Sequence, residues 1–187
     1  PLYSSAASDV YKRQGEFHAG KVSANRFLYL TVSTGMGGGF LLDAKIYRGF
    51  GGAHPEVGHQ SIPFKCANPA SVQCECGVPD CLEALVSGNG IRRIYGKPAE
   101  ALDPGEWAEV AYNLGQGLRN LATIYAPEVI RIGGGVAVGG GEAFIHQARQ
   151  TMEAHLALVP VPQVGLSQLG YDTALLGAIT IARYGLD

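Results

Sequence analysis

The chain has 187 residues, of which 47% are hydrophobic and 16% are charged. A chain of this size can bury enough apolar surface for one domain, or for one large lobe of a two-domain protein. Its 14 basic and 16 acidic residues leave a formal charge of −2, which excludes the basic excess typical of proteins that bind nucleic acid or anionic membranes. No apolar run reaches the roughly 20 residues that cross a bilayer, and no signal peptide pattern opens the chain, so we expect a cytoplasmic protein.

The first 14 residues, PLYSSAASDVYKRQ, have neither helical nor strand periodicity. The patterned sequence starts at Gly15. We therefore predict a foreign or disordered leader over 1–14 and one folded unit over 15–187. An ordinary frayed N-terminus is the alternative.

The next part of the chain predicts strands and then a long loop. FLYLTVS, over 27–33, combines aromatic and β-branched residues and stops at a glycine cluster, which indicates a buried strand. A hairpin is predicted to follow, with one strand over 40–42, a turn at 43–44 and a second strand through Ile46 and Tyr47. The stretch from Phe50 to about Asp80 is rich in Gly, Pro and Cys, and a loop of this length is usually functional.

The second half alternates helical and strand patterns. Apolar residues at helical spacing and short β-branched runs define six elements. An antiparallel meander followed by such alternation indicates an α/β layered domain. The predicted helices cover 81–94, 104–125, 142–158 and 173–184, and the predicted strands cover 129–135 and 163–169.

All four cysteines lie in one short stretch, EVGHQSIPFKCANPASVQCECGVPDCLEA, together with a histidine. In a chain without export signals this favours metal binding over disulfides. Three thiolates and one imidazole fit a closed, tetrahedral structural zinc site. Free reduced cysteines, or a site completed by Cys66 in place of the histidine, are the alternatives. The candidate ligands are His59, Cys74, Cys76 and Cys81.

Two glycine-rich strings each follow a predicted strand. STGMGGG, over 33–39, predicts a glycine turn whose backbone N–H groups admit a phosphate, with the hydroxyl of Thr34 as a further donor. IGGGVAVGGG, over 132–141, leads into a helix and would place backbone against a nucleotide, although a tight connection explains it equally well. Neither string is a Walker loop or a dinucleotide fingerprint, so each is weak evidence by itself.

Taken in order, four motifs resemble the ROK family (repressors, open reading frames and sugar kinases). TVSTGMGGGF is similar to the family's second phosphate segment, PEVGH to its sugar-contacting E-x-G-H, CECGVPDCLE to its zinc signature and IRIGGGVA to its adenosine segment. The resemblance covers about Gly15 to the C-terminus. It implies an α/β fold of the actin-like ATPase (ribonuclease H-like) type, of which this chain supplies mainly the C-terminal lobe with its zinc-binding loop.

The resemblance also implies roles for individual residues. The family's activity is ATP-dependent phosphorylation of a hexose, with Mg-ATP as co-substrate, structural zinc and a homodimer. Sugar hydroxyls would bind Glu56, His59 and Glu83, while His59, Cys74, Cys76 and Cys81 would hold the zinc. ATP phosphates would contact Thr34, Gly35 and Gly37, and the adenosine would lie beside Gly133, Gly134 and Gly135.

Two family features have no counterpart in this sequence. Family kinases carry an Asp-x-Gly-Gly-Thr phosphate loop on a separate N-terminal lobe, and an Asn-Asp pair whose Asp is the catalytic base. Asp9 does not match that pair, because Ser8 precedes it and Val10 follows it. We therefore assign no catalytic residue and expect no turnover of glucose or fructose in an ATP-coupled assay. Appreciable product formation would contradict this prediction.

Other functions remain open at this stage. The same lobe occurs in ROK transcriptional repressors, where it binds a sugar effector and a DNA-reading module precedes it; nucleic acid is a partner only in that case. A globular domain that zinc stabilises and that has no catalytic function is a third alternative. Among sugars, glucose is favoured, while His54-Pro55 before Glu56 keeps fructose open and N-acetylated sugars are not excluded.

Overall fold

The computed structural model describes residues 12–184. Residues 1–11 of the predicted leader, including Asp9, lie outside the described residues. The last three residues of the predicted leader, 12–14, belong to a helix that is described over 12–19. We call this helix α1. This helix continues through Gly15, where we predicted the folded unit to begin.

Within residues 12–184, five strands form one mixed sheet in the order β3-β2-β1-β4-β5. The first three strands pair antiparallel, whereas β4 pairs parallel with β1 and β5 pairs parallel with β4. The predicted antiparallel meander followed by α/β alternation is therefore confirmed. The strands are β1 (Arg26–Val32), β2 (Met36–Leu42), β3 (Lys45–Ile46), β4 (Val129–Gly133) and β5 (Gln163–Leu166).

Strand β1 lies at the centre of the sheet and is buried on both faces, which explains its nearly continuous apolar sequence. Leu28 and Leu30 face the larger core, which the helices between Leu82 and Ala154 complete. Phe27 and Tyr29 face a smaller cluster that Phe17 of α1 covers. The alternation of side chains along a strand thus divides the apolar residues between two layers of helices.

Five further helices follow the first, and none of the helices in the described part is long and apolar enough to cross a membrane. The predictions for 104–125 and 173–184 are confirmed to the residue. The first of these helices begins with a capping box between Asp103 and Glu106, and its proline lies in the first turn. The helices are α2 (Leu82–Val86), α3 (Gly88–Tyr95), α4 (Pro104–Tyr125), α5 (Gly135–Ala154) and α6 (Thr173–Tyr184).

Two helix predictions were wrong in detail. The segment 81–94 is two helices, because Ser87 is extended (φ −75°, ψ 159°) and its hydroxyl accepts the N–H of Gly90 as the N-cap of α3. Helix α5 starts at Gly135 rather than at 142 and ends at Ala154 rather than at 158. The predicted start coincides with an irregularity at Gly141 (φ 66°, ψ −165°) inside this helix.

The predicted strands at β1 and β3 are each shifted by one residue, and three other strand predictions were wrong by two residues or more. Strand β2 starts at Met36 and not at Phe40, so that its glycines pair with β1. Strand β4 ends at Gly133 because Gly134 has a positive φ. Strand β5 ends at Leu166, because the next three residues turn toward the buried carboxylate of Glu16, which accepts the Ser167 hydroxyl at 2.6 Å and the backbone N–H of residue 168 at 2.6 Å.

Candidate functional site

One imidazole and three thiols meet in the loop before α2. The ligand atoms of His59, Cys74, Cys76 and Cys81 all lie within 4.8 Å of one another. His59 Nδ1 lies 3.4 Å from Cys81 Sγ and 3.5 Å from Cys74 Sγ. In a tetrahedral site with metal–ligand bonds of about 2.0–2.3 Å, neighbouring ligand atoms are about 3.5–3.8 Å apart. These four residues can therefore hold a metal ion, and Cys66 is not part of the group.

A short backbone pairing brings the histidine to the last cysteine across 22 residues of sequence. Ser61 and Cys81 form an isolated antiparallel bridge. On either side of it, Leu82 donates its N–H to the carbonyl of Gln60 at 2.9 Å, and Ile62 donates to the carbonyl of Asp80 at 3.3 Å. The position of the candidate ligands thus depends on pairing between two irregular segments.

The three clustered thiols differ in acidity. Burial raises the pKa of Cys81 and the pKa of Cys74, whereas the backbone N–H of Val78 lowers the pKa of the exposed Cys76. Burial thus favours the protonated thiol at two of the three positions. Metal binding at this cluster must release protons, because the thiolate is the ligand form of cysteine.

Side chains of α4 anchor the loop between His59 and Cys74, a feature that sequence patterns did not reveal. The buried Asn113 accepts the N–H of Lys65 at 2.9 Å and donates to the carbonyl of the same residue at 2.8 Å. One turn earlier, Glu109 accepts the N–H of Ala67 at 3.1 Å and the hydroxyl of Tyr95 at 3.0 Å. A buried polar residue in an apolar helix face was the only available signal.

Glu83, in the first turn of α2, lies between the metal cluster and the first glycine string. Its Oε1 is 3.8 Å from Cys74 Sγ, and its Oε2 accepts the N–H of Met36 at 2.8 Å. Met36 is the residue directly after the turn Ser33–Gly35, which joins β1 to β2. Glu83, Cys74 and Thr34 border one small pocket of about 200 Å³.

The two glycine strings converge on a second, larger pocket of about 510 Å³. Ser33 and Thr34 border it on one side, and Gly135 and Val136 at the start of α5 border it on the other. The strings start 99 residues apart, but β1 and β4 are parallel neighbours, so the segments that follow these strands meet at one edge of the sheet. Arg92 and Glu100 add charged groups to the same pocket.

The three glycines predicted to lie beside an adenosine differ in what surrounds them. A Cβ at Gly133 would lie 2.3 Å from the Tyr29 hydroxyl, and a Cβ at Gly134, where φ is +95°, would lie 2.4 Å from the Val32 carbonyl oxygen. A Cβ at Gly135 would meet nothing within 4 Å. The first two glycines are thus required by the fold, whereas the third opens onto the pocket.

The predicted glycine turn over 33–39 is shorter than expected. Only Ser33–Gly35 form the turn, and Gly37 pairs with Thr31 inside the sheet. A Cβ at Gly38 would lie 2.7 Å from the side chain of Val57, and one at Gly58 would lie 2.7 Å from the Met36 carbonyl oxygen. Gly38 in the strand and Gly58 in the turn therefore allow Val57–His59 to pack directly on β2.

Glu56 lies apart from the pocket that Glu83 borders. Its side chain is exposed and borders a groove of about 180 Å³, together with Gln60, Ile124 and Tyr125. Its backbone carbonyl accepts the N–H of His59 at 3.0 Å. Of the three residues expected to bind sugar, the structure thus brings His59 and Glu83 to one cluster and leaves the Glu56 carboxylate outside it.

A protein-family model described as the ROK family matches residues 11–184. This chain belongs to the ROK family. The resemblance inferred from the four motifs is therefore confirmed, and the mixed sheet fits the actin-like ATPase fold of the family. The family match starts at residue 11, inside the segment that we predicted to be a leader.

Individual relatives include sugar kinases and a regulator. The fructokinase of Zymomonas mobilis is 33% identical in an alignment of 165 residues that covers 83% of this chain and 53% of the fructokinase. The glucokinase of Streptomyces griseus, solved with glucose and AMPPNP, is 27% identical with a TM-score of 0.78, over 95% of this chain and 67% of the glucokinase. A ROK family transcriptional regulator, a homologue of the E. coli MLC protein, has a TM-score of 0.72 at 21% identity, over 96% of this chain and 52% of its own, and shows the fold alone. This ROK chain thus spans about half the length of the curated fructokinase.

Proposed function

We propose that this chain is the sugar- and nucleotide-contacting lobe of an ATP-dependent hexose kinase. The observation that carries the proposal is the position of Thr34, which borders both the 510 Å³ pocket and the 200 Å³ pocket that contains Glu83. A phosphate chain that runs from the larger pocket to Thr34 would end beside the group that binds the acceptor sugar. Phosphoryl transfer depends mainly on such positioning and on charge stabilisation.

In this proposal Mg-ATP occupies the larger pocket. The adenosine lies against Gly135, and the phosphates reach the backbone and hydroxyl of Thr34 and the backbone of Gly35. A turn with free N–H groups and a helix N-terminus both favour negatively charged ligands. Gly37 lies in β2 two residues beyond this turn, so we no longer propose that it contacts phosphate.

Zinc is the metal that we propose for the cluster of His59, Cys74, Cys76 and Cys81. Three sulfur donors and one nitrogen donor are the ligands that zinc prefers, and a closed set of four protein ligands is typical of structural sites. With Nδ1 on the metal, the other ring nitrogen of His59 stays available to a sugar hydroxyl. Glu83 offers a carboxylate beside it.

Nucleotide binding tests the proposal, and Gly135→Leu is the variant that we expect to remove it. The Cβ of the new side chain would meet no protein atom within 4 Å, and leucine favours helices over glycine, so the fold should keep its stability. We expect ADP to bind the unmodified chain and to bind the variant at least about tenfold more weakly, as measured by isothermal titration calorimetry.

Gln147→Leu is the matched control for this experiment, because it adds a leucine to an exposed position of the same helix outside the pocket. It should bind ADP like the unmodified chain. Equal ADP affinities for Gly135→Leu and the control would contradict the proposed pocket. If ADP binds none of the three proteins, the result would instead favour the alternative function, the effector-binding lobe of a repressor. The similar fold of the transcriptional regulator is the reason to consider this alternative.

Sugar binding should depend on the charge of Glu83. We expect titration with glucose, fructose and N-acetylmannosamine to identify one preferred hexose, with glucose favoured. Glu83→Gln should weaken binding of that sugar about tenfold, because a hydroxyl bonded to a carboxylate is held more strongly than one bonded to an amide. Glu128→Gln, at the opposite end of β1, should leave the affinity unchanged. A Glu83→Gln protein with unchanged sugar affinity would remove this residue from the sugar site.

A further inference from the structure

We infer that Glu83 is also a positioning residue for nucleotide, because it holds the turn Ser33–Gly35 in shape. The inference rests on the proposed function, in which this turn receives the phosphates. The family resemblance implies that Glu83 contacts sugar hydroxyls. It implies no role for Glu83 in nucleotide binding. The structure shows that one of its two carboxylate oxygens is already used by the backbone of Met36, at 2.8 Å.

The carboxylate lies directly against the turn. A Cβ at Gly35 would lie 3.1 Å from Glu83 Oε2, so the absence of a side chain there lets the carboxylate approach the backbone. Met36 itself is buried, so water is a poor substitute partner for its N–H. Loss of the carboxylate would therefore leave a buried donor unpaired unless the turn moved.

Helix α3 holds the other side of the same turn. Gly88 donates its N–H to the carbonyl of Ser33 at 2.7 Å, and Asn89 donates to the carbonyl of Thr34 at 3.0 Å. These two bonds fix the carbonyls, and the bond from Met36 to Glu83 fixes the point where the turn enters β2. The turn is thus held at both ends by the helix pair that follows the cysteine loop.

This arrangement sets the nucleotide-contacting atoms before a ligand arrives. The Thr34 side chain stays exposed and borders both pockets while its backbone is held. Preorganisation of this kind lowers the cost of binding, and affinity falls in proportion to the fraction of molecules in which the turn has the competent shape. The second oxygen of Glu83 accepts a long contact from Cys74 Sγ at 3.8 Å, and its other lone pair can accept a sugar hydroxyl.

ADP titrations without sugar distinguish a positioning role from a pure sugar contact. We expect Glu83→Ala to weaken ADP binding at least about tenfold, the effect of one lost hydrogen bond to a charged group. Glu83→Gln should stay within about twofold of the unmodified chain, because its amide oxygen can accept the N–H of Met36. Unchanged ADP affinity in Glu83→Ala would overturn the inference.

Glu128→Ala is the matched control, since the Glu128 carboxylate also accepts backbone N–H groups, from Asn25 and Arg26 at 3.1 and 3.2 Å, but lies far from the turn in sequence and at the other end of β1. It should bind ADP normally. An equal loss of ADP affinity in Glu128→Ala would overturn the inference, because the effect would then reflect general destabilisation. Bound zinc, measured in each protein, should be the same in all.

Amide exchange gives a readout that does not depend on nucleotide. In the ligand-free protein the Met36 N–H should exchange at least about tenfold faster in Glu83→Ala than in Glu83→Gln or in the unmodified chain. If the unmodified chain binds no ADP, the proposed function fails while this measurement still tests the role of Glu83. An unchanged exchange rate of Met36 in Glu83→Ala would overturn the positioning role by itself.

Discussion

Cys81→Ser is expected to abolish zinc binding and to loosen the cysteine loop, whereas the unmodified chain should hold about one zinc per molecule. Cys81 is fully buried and its Sγ lies 3.4 Å from His59 Nδ1, so a serine there leaves the metal with three ligands and an open position. Free-standing zinc modules gain about 10–16 kcal/mol from their metal, and the loss here should therefore be large. Elemental analysis gives the zinc content.

Hydrogen exchange should show where the loop opens. We expect faster exchange in residues 74–81 of the variant, while Lys65 keeps partial protection because Asn113 on α4 binds both its N–H and its carbonyl. Removal of zinc with a chelator should have the same effect on the unmodified chain. This separates the part of the loop that the metal orders from the part that α4 orders.

Cys66→Ser is the matched control for the metal prediction. Cys66 is partly buried but lies outside the group of four ligands, so this variant should keep its zinc. Loss of zinc from Cys66→Ser and its retention in Cys81→Ser would reverse the ligand assignment. Absence of zinc from the unmodified chain would remove the metal site altogether.

Gly134→Ala is expected to lower the free energy of unfolding by about 3–5 kcal/mol, a large part of the stability of a typical domain. The backbone at Gly134 has φ 95° and ψ 159°, a region that is open almost only to glycine. A Cβ there would also lie 2.4 Å from the Val32 carbonyl oxygen, which belongs to the neighbouring strand and cannot move away easily. Urea denaturation measures the change.

Gly135→Ala, one residue later, provides the comparison. Its Cβ would meet nothing within 4 Å, and alanine favours helices over glycine by up to about 1 kcal/mol, so the free energy of unfolding should stay the same or rise slightly. The same substitution should therefore lower the free energy of unfolding at Gly134 and leave it unchanged or raise it at Gly135. Equal urea midpoints for the two variants would show that the Gly134 backbone is not the constraint that we describe.

Local periodicity predicted several elements because the side chains that decide them lie close together in sequence. Helix α4 was predicted to the residue, since Pro104 marks its start and its apolar residues recur at helical spacing. Strand β1 was recognisable for the same reason, because both of its faces are buried and nearly every residue is apolar. Where glycine-rich sequence weakened the pattern, as in β2 and at the start of α5, the predicted limits were wrong.

By itself, the sequence determined the family and indicated a metal site. Clustered thiol and imidazole groups favour metal binding, so residue type and spacing limited the candidate ligands to His59 and the four cysteines. The structure then grouped His59 with Cys74, Cys76 and Cys81 and left out Cys66. The order of the four motifs was enough to indicate the ROK family, which the match over residues 11–184 confirms.

Only the tertiary structure showed which role each of these residues has in the fold and in the site. It divided the glycines into those that the fold requires, such as Gly134, and one that opens onto a pocket, Gly135. It placed Glu83 against the turn before Met36, attached Lys65 to Asn113 and left Glu56 outside the cluster. These contacts join residues 47 or 48 positions apart, and such pairings depend on how strands and helices pack, which local sequence patterns do not encode.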